Sequence, residues 1–236
     1  MVNVIELIKA RTKAPGLYGE TPLKAVRYCF VDTELTGLDH RKDNIVSIGA
    51  VRVMGGRISV GDSFYRLVNP EKAMSRASVV IHGITPSDVG EKPSIDEVIS
   101  EFVDFCGTDV LVGHCISIDL EFINREMRRI TGHPLGNDAV DTLALHEWLA
   151  ARHRTYGELG SGGRETALYA IAHRFGIPSN GAHNAEMDAF IAAQVFQRFI
   201  PLLIETGVET VGELLKIGDP LKGGDRFRKT GEFSNM

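Results

Sequence analysis

The alternation of apolar and polar positions first becomes regular at Val26–Val31, a mostly apolar run that ends abruptly in two carboxylates one residue apart, Asp32 and Glu34. In an extended strand alternate side chains project from the same face, so this pair would leave one face at the strand's end, about 7 Å apart along the backbone. Thr36-Gly37 then turns the chain. Asn44–Met54 and Ile58–Val68 read as a second and a third strand, joined through the tight turn Gly55-Gly56 as a hairpin. Helical spacing follows over Ser94–Cys106, where Ile95, Val98, Ile99, Phe102 and Val103 share one side and Ser94 stands at the capping position. Asp109–Gly113 is a short fourth strand that leads into His114 and then a helix from about Asp119 to Ile130. Ala139 and Val140 end a fifth strand, with Asp141 placed to cap a helix over Thr142–Arg152. Two more helices are expected over Glu165–Phe175 and Asn184–Ile200, and a short one near Val208–Ile217.

Strands in the first half and helices mostly in the second imply an α/β fold, a mixed five-stranded sheet flanked by helices. A site would lie where strand ends meet helix starts. Residues 155–164 are rich in glycine but lack the Gly-x-x-x-x-Gly-Lys phosphate loop and follow a helix, so they read as a surface loop. Residues 1–25 read as a mildly basic N-terminal extension, 26–203 as the main domain, and 204–236 as a C-terminal helix with a flexible tail.

Composition narrows the class. With 236 residues, 43% hydrophobic and 24% charged, the chain suits one large globular domain. No apolar run reaches membrane-spanning length and the first 13 residues carry charges through their middle, so neither a transmembrane helix nor a secretory signal is expected, and the reading is a cytoplasmic protein with no membrane contact. Three cysteines without a Cys-x-x-Cys pair argue against a disulfide framework and a zinc cage. A net charge of −5 excludes a protein that grips duplex DNA through bulk positive charge, so any nucleic-acid contact is local.

Candidate chemistry starts from the repulsion between Asp32 and Glu34. Two anions on one face call for a cation, and hard divalent ions such as Mg²⁺ or Mn²⁺ prefer carboxylate oxygens. Asp-x-Glu alone is common; its weight depends on further carboxylates. Asp119, at a helix start just after a strand, and Asp188, in the first turns of another helix, are placed to reach a common cleft. His183 precedes Asp188 by five residues, which on a regular helix would turn the two about 140° apart. To share a site, His183 must lie on a loop before the helix, and Pro178, Asn180 and Gly181 favour one.

Taken in order, Asp32-Thr33-Glu34-Leu35-Thr36-Gly37, Ile81-His82-Gly83-Ile84-Thr85, Gly113-His114 to Asp119, Asp141-Thr142 and His183-x-x-x-x-Asp188 resemble the DEDDh 3′-to-5′ exonucleases, the family of the proofreading (DnaQ-like) subunit of bacterial DNA polymerases. The resemblance spans about residues 26–200, and the ordered set is specific where each piece is weak. It implies an RNase H-like fold, with Asp32, Glu34, Asp119 and Asp188 holding two divalent ions, Mg²⁺ or Mn²⁺, and His183 as general base. It implies hydrolysis of single-stranded or frayed DNA from the 3′ end to 5′-mononucleotides, and a polymerase or another replication or repair protein as partner. RNA trimming is the alternative substrate reading, and a binding module without turnover the alternative class. Thr36, Gly37, Leu38 and His82 resemble positions that line the terminal nucleotide; His82 equally fits a bond within its own turn. His114 reads as a structural hydrogen-bonding residue, since these ions prefer oxygen. Where the family commonly has His-Asn-Ala-x-Phe-Asp, this chain has His114-Cys115-Ile116-Ser117-Ile118-Asp119, which removes an amide and an aromatic ring.

Overall fold

A computed structural model describes residues 18–158, 166–179 and 183–221. The β-branched and aromatic runs form β1 (Arg27–Leu35), β2 (Ile45–Met54), β3 (Arg57–Leu67), β4 (Val110–Gly113) and β5 (Ala139–Asp141). They make one five-stranded sheet in the order β3-β2-β1-β4-β5. The first three strands pair antiparallel, whereas β1–β4 and β4–β5 pair parallel, the mixed sheet expected from the sequence.

Strand β1 sits in the middle and separates two cores by its alternation. Tyr28 and Phe30 face helix α8 (Ala185–Glu205), with ring centroids 5.1 and 5.3 Å from Phe196. Cys29 and Val31 face the other side, against Phe102 of α3 (Ile95–Cys106) and Phe122 and Ile123 of α4 (Ser117–Thr131). Asp32 and Glu34 share the parity of Tyr28 and Phe30, so the strand that buries rings on α8 aims its two carboxylates at the same helix. The first core also takes in α5 (Thr142–Arg152), α7 (Leu168–Arg174) and α9 (Val211–Ile217) through Leu145, Ile171 and Leu214. The segment before β1 joins α9 through Val211 N–H to Thr21 O at 2.8 Å and Leu23 N–H to Glu209 O at 3.1 Å.

One close approach places α8. Gly49 of β2 is the partner of Asp32 in β1, and a Cβ there would stand 2.1 Å from the backbone nitrogen of Glu186. Only a residue without a side chain lets the first turn of α8 rest on the sheet beside Asp32.

Several elements differ from the sequence reading. Helices α1 (Arg76–His82) and α2 (Pro86–Val89) fall where no helix was expected, each too short to show a repeating apolar face. Local chemistry makes them: Ser75 caps α1, Gly83 ends it at φ 72°, and Thr85 with Asp88 forms a capping box on α2. Helix α6 (Arg154–Glu158) occupies the front of the glycine-rich stretch; residues 159–164 of that expected loop, with Glu165, lie outside the described residues, and α7 starts at Leu168, three residues later than the helix expected from Glu165. Helix α8 runs past Pro201 to Glu205, because Leu203 is fully buried and tertiary packing outweighs the proline. Helix α9 starts at Val211, after a Thr210–Glu213 capping box, not at Val208. The N-terminal arm before residue 18 and the tail after 221 lie outside the described residues.

The expectation that no apolar run is long enough to cross a membrane needs correction, since α8, at 21 residues, is long and apolar enough by length and composition. Its apolar residues are spent on the sheet: Ile191, Val195, Phe196 and Phe199 are buried in the first core.

Substituting Gly49→Ala is expected to lower the unfolding free energy by about 1–3 kcal/mol, the usual cost of forcing an extra methyl into a packed contact. Gly61→Ala in β3, where an added Cβ meets nothing within 4 Å, is the control and should change stability by less than about 0.5 kcal/mol. Urea unfolding of both variants checks this; equal stabilities would show that α8 does not depend on the close approach.

Candidate active site

Asp32 and Glu34 leave β1 on its α8 side, and Asp188, in the first turn of α8, meets them there. One carboxylate oxygen from each of the three lies within 4.8 Å of the other two. Asp119 arrives from the first turn of α4, held by Thr33, whose Oγ1 donates to Asp119 Oδ1 at 2.6 Å. All four carboxylates and His183 line one cavity of about 340 Å³ at the carboxyl ends of β1 and β4.

His183 stands on the segment before α8, as its spacing from Asp188 requires, at a left-handed φ of 63°. Its N–H donates to Asp188 Oδ2 at 3.0 Å and to the Tyr169 hydroxyl oxygen at 2.9 Å. Asn184 caps α8 by accepting from Met187 N–H at 3.2 Å. Tyr169, on α7, donates its own O–H to Asp188 Oδ2 at 2.7 Å, and its ring meets that of His183 edge to face at 5.2 Å. Tyr169 and Thr33 were not singled out in the sequence: both act on residues distant in the chain or on another element, and no spacing marks that.

The expected nucleotide-lining residues divide. Leu38 lies at the mouth, 45% exposed, beside Ile81, 49% exposed, and the two offer an apolar rim. Gly37 lines the cavity, and a Cβ there would stand 2.5 Å from Asp43 Oδ2, so a side chain would displace the carboxylate that bonds Thr36. Thr36 is not brought to the cavity: its side chain is buried in the turn, where Oγ1 donates to Asp43 Oδ1 at 3.1 Å and accepts from Asn44 N–H at 3.0 Å. His82 combines its two readings, lining the cavity while Nδ1 accepts from Ile84 N–H at 3.1 Å. Burial pushes its pKa down.

Behind the site, Asp141 Oδ1 accepts from Leu143 N–H at 2.8 Å, the expected cap, and also from Cys115 N–H at 3.0 Å. That second bond holds Cys115 at a left-handed φ of 57°. His114 is a structural residue: Nε2 donates to Thr166 O at 2.7 Å, Nδ1 lies 3.0 Å from Thr142 Oγ1, and burial pushes its pKa down to about 4.

The carboxylates are held against their own electrostatics. Burial raises the pKa of Glu34 to about 8, helped by the charges of Asp188 and Asp119. Burial takes Asp119 to about 7 against the opposing bond from Thr33. Asp32 is pushed up by burial and then by Asp119, Glu34 and Asp188, and Asp188 by burial against Tyr169 and His183. Among the described residues no lysine or arginine pairs with any of the four. At the opposite end of β4 the fold does supply cations: buried Asp109 pairs with Arg27 at 2.6 Å and Arg52 at 3.5 Å. Asp188 Oδ1 is buried and has no hydrogen-bond partner among the described residues. An all-oxygen donor set with an unused buried oxygen fits a hard divalent cation, with Asp32, Glu34, Asp119 and Asp188 as the residues to hold it.

Known proteins resemble this chain in family and in fold. The model of the RNase T family, described as exonuclease, matches residues 29–196. The DNA polymerase III subunit epsilon of Aquifex aeolicus is 32% identical over 173 residues, which cover 73% of this chain and 80% of that protein. A DNA polymerase III subunit epsilon-like protein of Rhodobacter capsulatus is 36% identical over 83% of this chain, and the PolC-type DNA polymerase III of Thermotoga maritima 32% over 82%. The chain spans only 27% and 13% of the length of those last two. Among solved structures, E. coli exonuclease I in complex with a dT13 oligonucleotide superposes with a TM-score of 0.67 at 16% identity, over 76% of this chain and 42% of that one. Exonuclease X in complex with 5′ overhanging duplex DNA gives 0.59 at 24%, over 82% and 98%. These two likenesses concern the fold, and it is the RNase H-like fold expected from the sequence.

The raised carboxyl pKa values carry a pH signature. Each such group keeps a proton in the folded state that the unfolded chain releases above about pH 4, so in EDTA stability is expected to fall as pH rises from about 4 to about 8. Glu34→Gln should flatten part of that slope, and Mn²⁺ should raise the unfolding midpoint more at pH 8 than at pH 5. Thermal unfolding with and without Mn²⁺ reads both; a wild-type slope no steeper than that of Glu34→Gln would contradict the assigned burial of these carboxylates.

Proposed function

The chain belongs to the RNase T exonuclease family, and from that premise we propose that it hydrolyses single-stranded or frayed DNA from the 3′ end and releases 5′-mononucleotides. The observation that supports this most is the convergence of Asp32, Glu34, Asp119 and Asp188 with His183 in one cavity. The cofactors are two divalent ions, Mg²⁺ or Mn²⁺. Bound there, they would lower the pKa of the attacking water and neutralise charge on the departing oxygen.

The chain's own residues do the rest. The cavity mouth presents Leu38 and Ile81 as apolar surface for the terminal base, with Gly37 and His82 beside it. Thr36 supports the turn that carries Gly37 and Leu38. His183 takes a proton from the water as its oxygen attacks phosphorus, the general-base role. The bond from phosphorus to the 3′ oxygen of the preceding nucleotide breaks; that oxygen leaves on the shortened strand, and the phosphate stays on the 5′ carbon of the released nucleotide.

DNA is the preferred substrate because the relatives carry the names of DNA polymerase III subunits and the structural neighbours hold DNA. The same names support a polymerase as partner and a role in DNA replication or repair.

On labelled linear oligonucleotides the protein is expected to release mononucleotides from the 3′ end in Mg²⁺ or Mn²⁺, and to leave closed single-stranded circles intact. Full activity in excess EDTA, or prompt cutting of circles, would sink the reading; faster release from RNA than from DNA would replace the substrate but not the chemistry.

Asp32→Ala and His183→Ala should fail differently. Losing Asp32 is expected to abolish tight Mn²⁺ binding together with turnover. His183→Ala should cost about 10²- to 10⁴-fold in rate while Mn²⁺ binding persists, and should regain rate at higher pH, where hydroxide is more available. Calorimetric Mn²⁺ titration of both folded variants, with rates from about pH 6 to 9, decides it; a histidine variant that binds no metal would refute the general-base role.

A further inference from the structure

We propose that Tyr169 is a positioning residue of this site, whose hydroxyl orients the Asp188 carboxylate and the His183 segment as one unit; the inference rests on the nuclease reading above. A tyrosine ring beside a cleft is ordinarily packing, and here the ring does meet His183 edge to face at 5.2 Å. The hydroxyl does more than a packing ring needs. It donates to Asp188 Oδ2 at 2.7 Å and accepts from His183 N–H at 2.9 Å, so one atom joins the candidate ligand to the candidate base.

Asp188 Oδ2 accepts from both the Tyr169 O–H and the His183 N–H, the latter at 3.0 Å. Oδ1 is left buried with no hydrogen-bond partner among the described residues. Fixing Oδ2 therefore fixes the plane of the carboxylate and reserves Oδ1 for an ion, the way outer partners orient metal-ligating groups. The same hydroxyl holds His183 N–H while the residue sits at a φ of 63°, a conformation that a residue with a side chain rarely adopts without support. Tyr169 belongs to α7 and His183 to the segment before α8, so the hydroxyl is a bond between two elements that both carry the site.

Tyr169→Phe in the full chain removes the hydroxyl and keeps the ring. It is expected to lower kcat by about 10- to 100-fold and to weaken Mn²⁺ binding in calorimetry by about 10-fold, with KM for the oligonucleotide nearly unchanged. In a His183→Ala background the same substitution should cost clearly less in kcat, because the two residues act as one unit. Wild-type kcat and wild-type Mn²⁺ affinity in Tyr169→Phe, with only a lowered unfolding midpoint, would reduce the residue to packing and overturn the proposal. Should the wild-type protein digest no oligonucleotide, the nuclease reading fails by itself. The Mn²⁺ titration then decides Tyr169 alone: weaker binding in the variant upholds the role, and equal binding removes it.

Discussion

Four carboxylates share one cavity with no arginine or lysine among the described residues to neutralise them, and the architecture around them serves to impose that repulsion. Like charges within a few ångströms, partly removed from water, raise one another's pKa and push apart the elements that carry them. The counterforce is apolar packing. Phe196 of α8 seats against Tyr28 and Phe30 of β1, four and two positions before Asp32, even separations that keep them on its face. The buried row from Ala189 to Leu203 holds the rest of the helix down. The helix is thereby anchored along its length so that its first turn can carry Asp188 into an unfavourable place.

The contrast between the two ends of β4 shows that this is a matter of chemistry and not of poor packing. Asp109, before the strand, is buried and carries Arg27 and Arg52 as partners. Beyond the strand, Asp119 has a threonine hydroxyl for a partner and three other carboxylates as neighbours. A fold that compensates a buried charge at one end and withholds compensation at the other leaves the second end to a cation from solution. Neutral groups supply orientation there: Thr33 holds Asp119 and Tyr169 holds Asp188. Each contributes a direction without adding a competing charge.

The Cys115 and Ile118 departures from the family pattern take their meaning from the same geometry. Cys115 keeps a left-handed backbone, which asparagine adopts more readily than cysteine. The bond from Asp141 to its N–H compensates for the missing preference. Ile118 still lines the cavity, so the wall that an aromatic ring would make is apolar but not flat. A base can lie against it by burial alone, without ring stacking.

What the sequence by itself determined follows from interactions local in the chain. Alternation set the strands and the shared face of Asp32 and Glu34; the five-residue spacing required His183 to precede the helix of Asp188; Asp141 and Ser94 announced the caps that α5 and α3 display. The order of motifs added the four carboxylates as one set, and the cavity contains them all. Helices α1 and α2 escaped because a turn or two of helix has no period to read, and the end of α8 because burial of Leu203 overrode Pro201. Tertiary structure alone decided that Thr36 would spend its hydroxyl on Asp43 instead of the cavity, that Gly49 would admit the first turn of α8, and that Tyr169 would bridge Asp188 and His183. Each of those is a contact between residues whose separation in the chain carries no periodic signal, and a hydrogen bond of that kind exists only once packing has brought its two ends within about 3 Å.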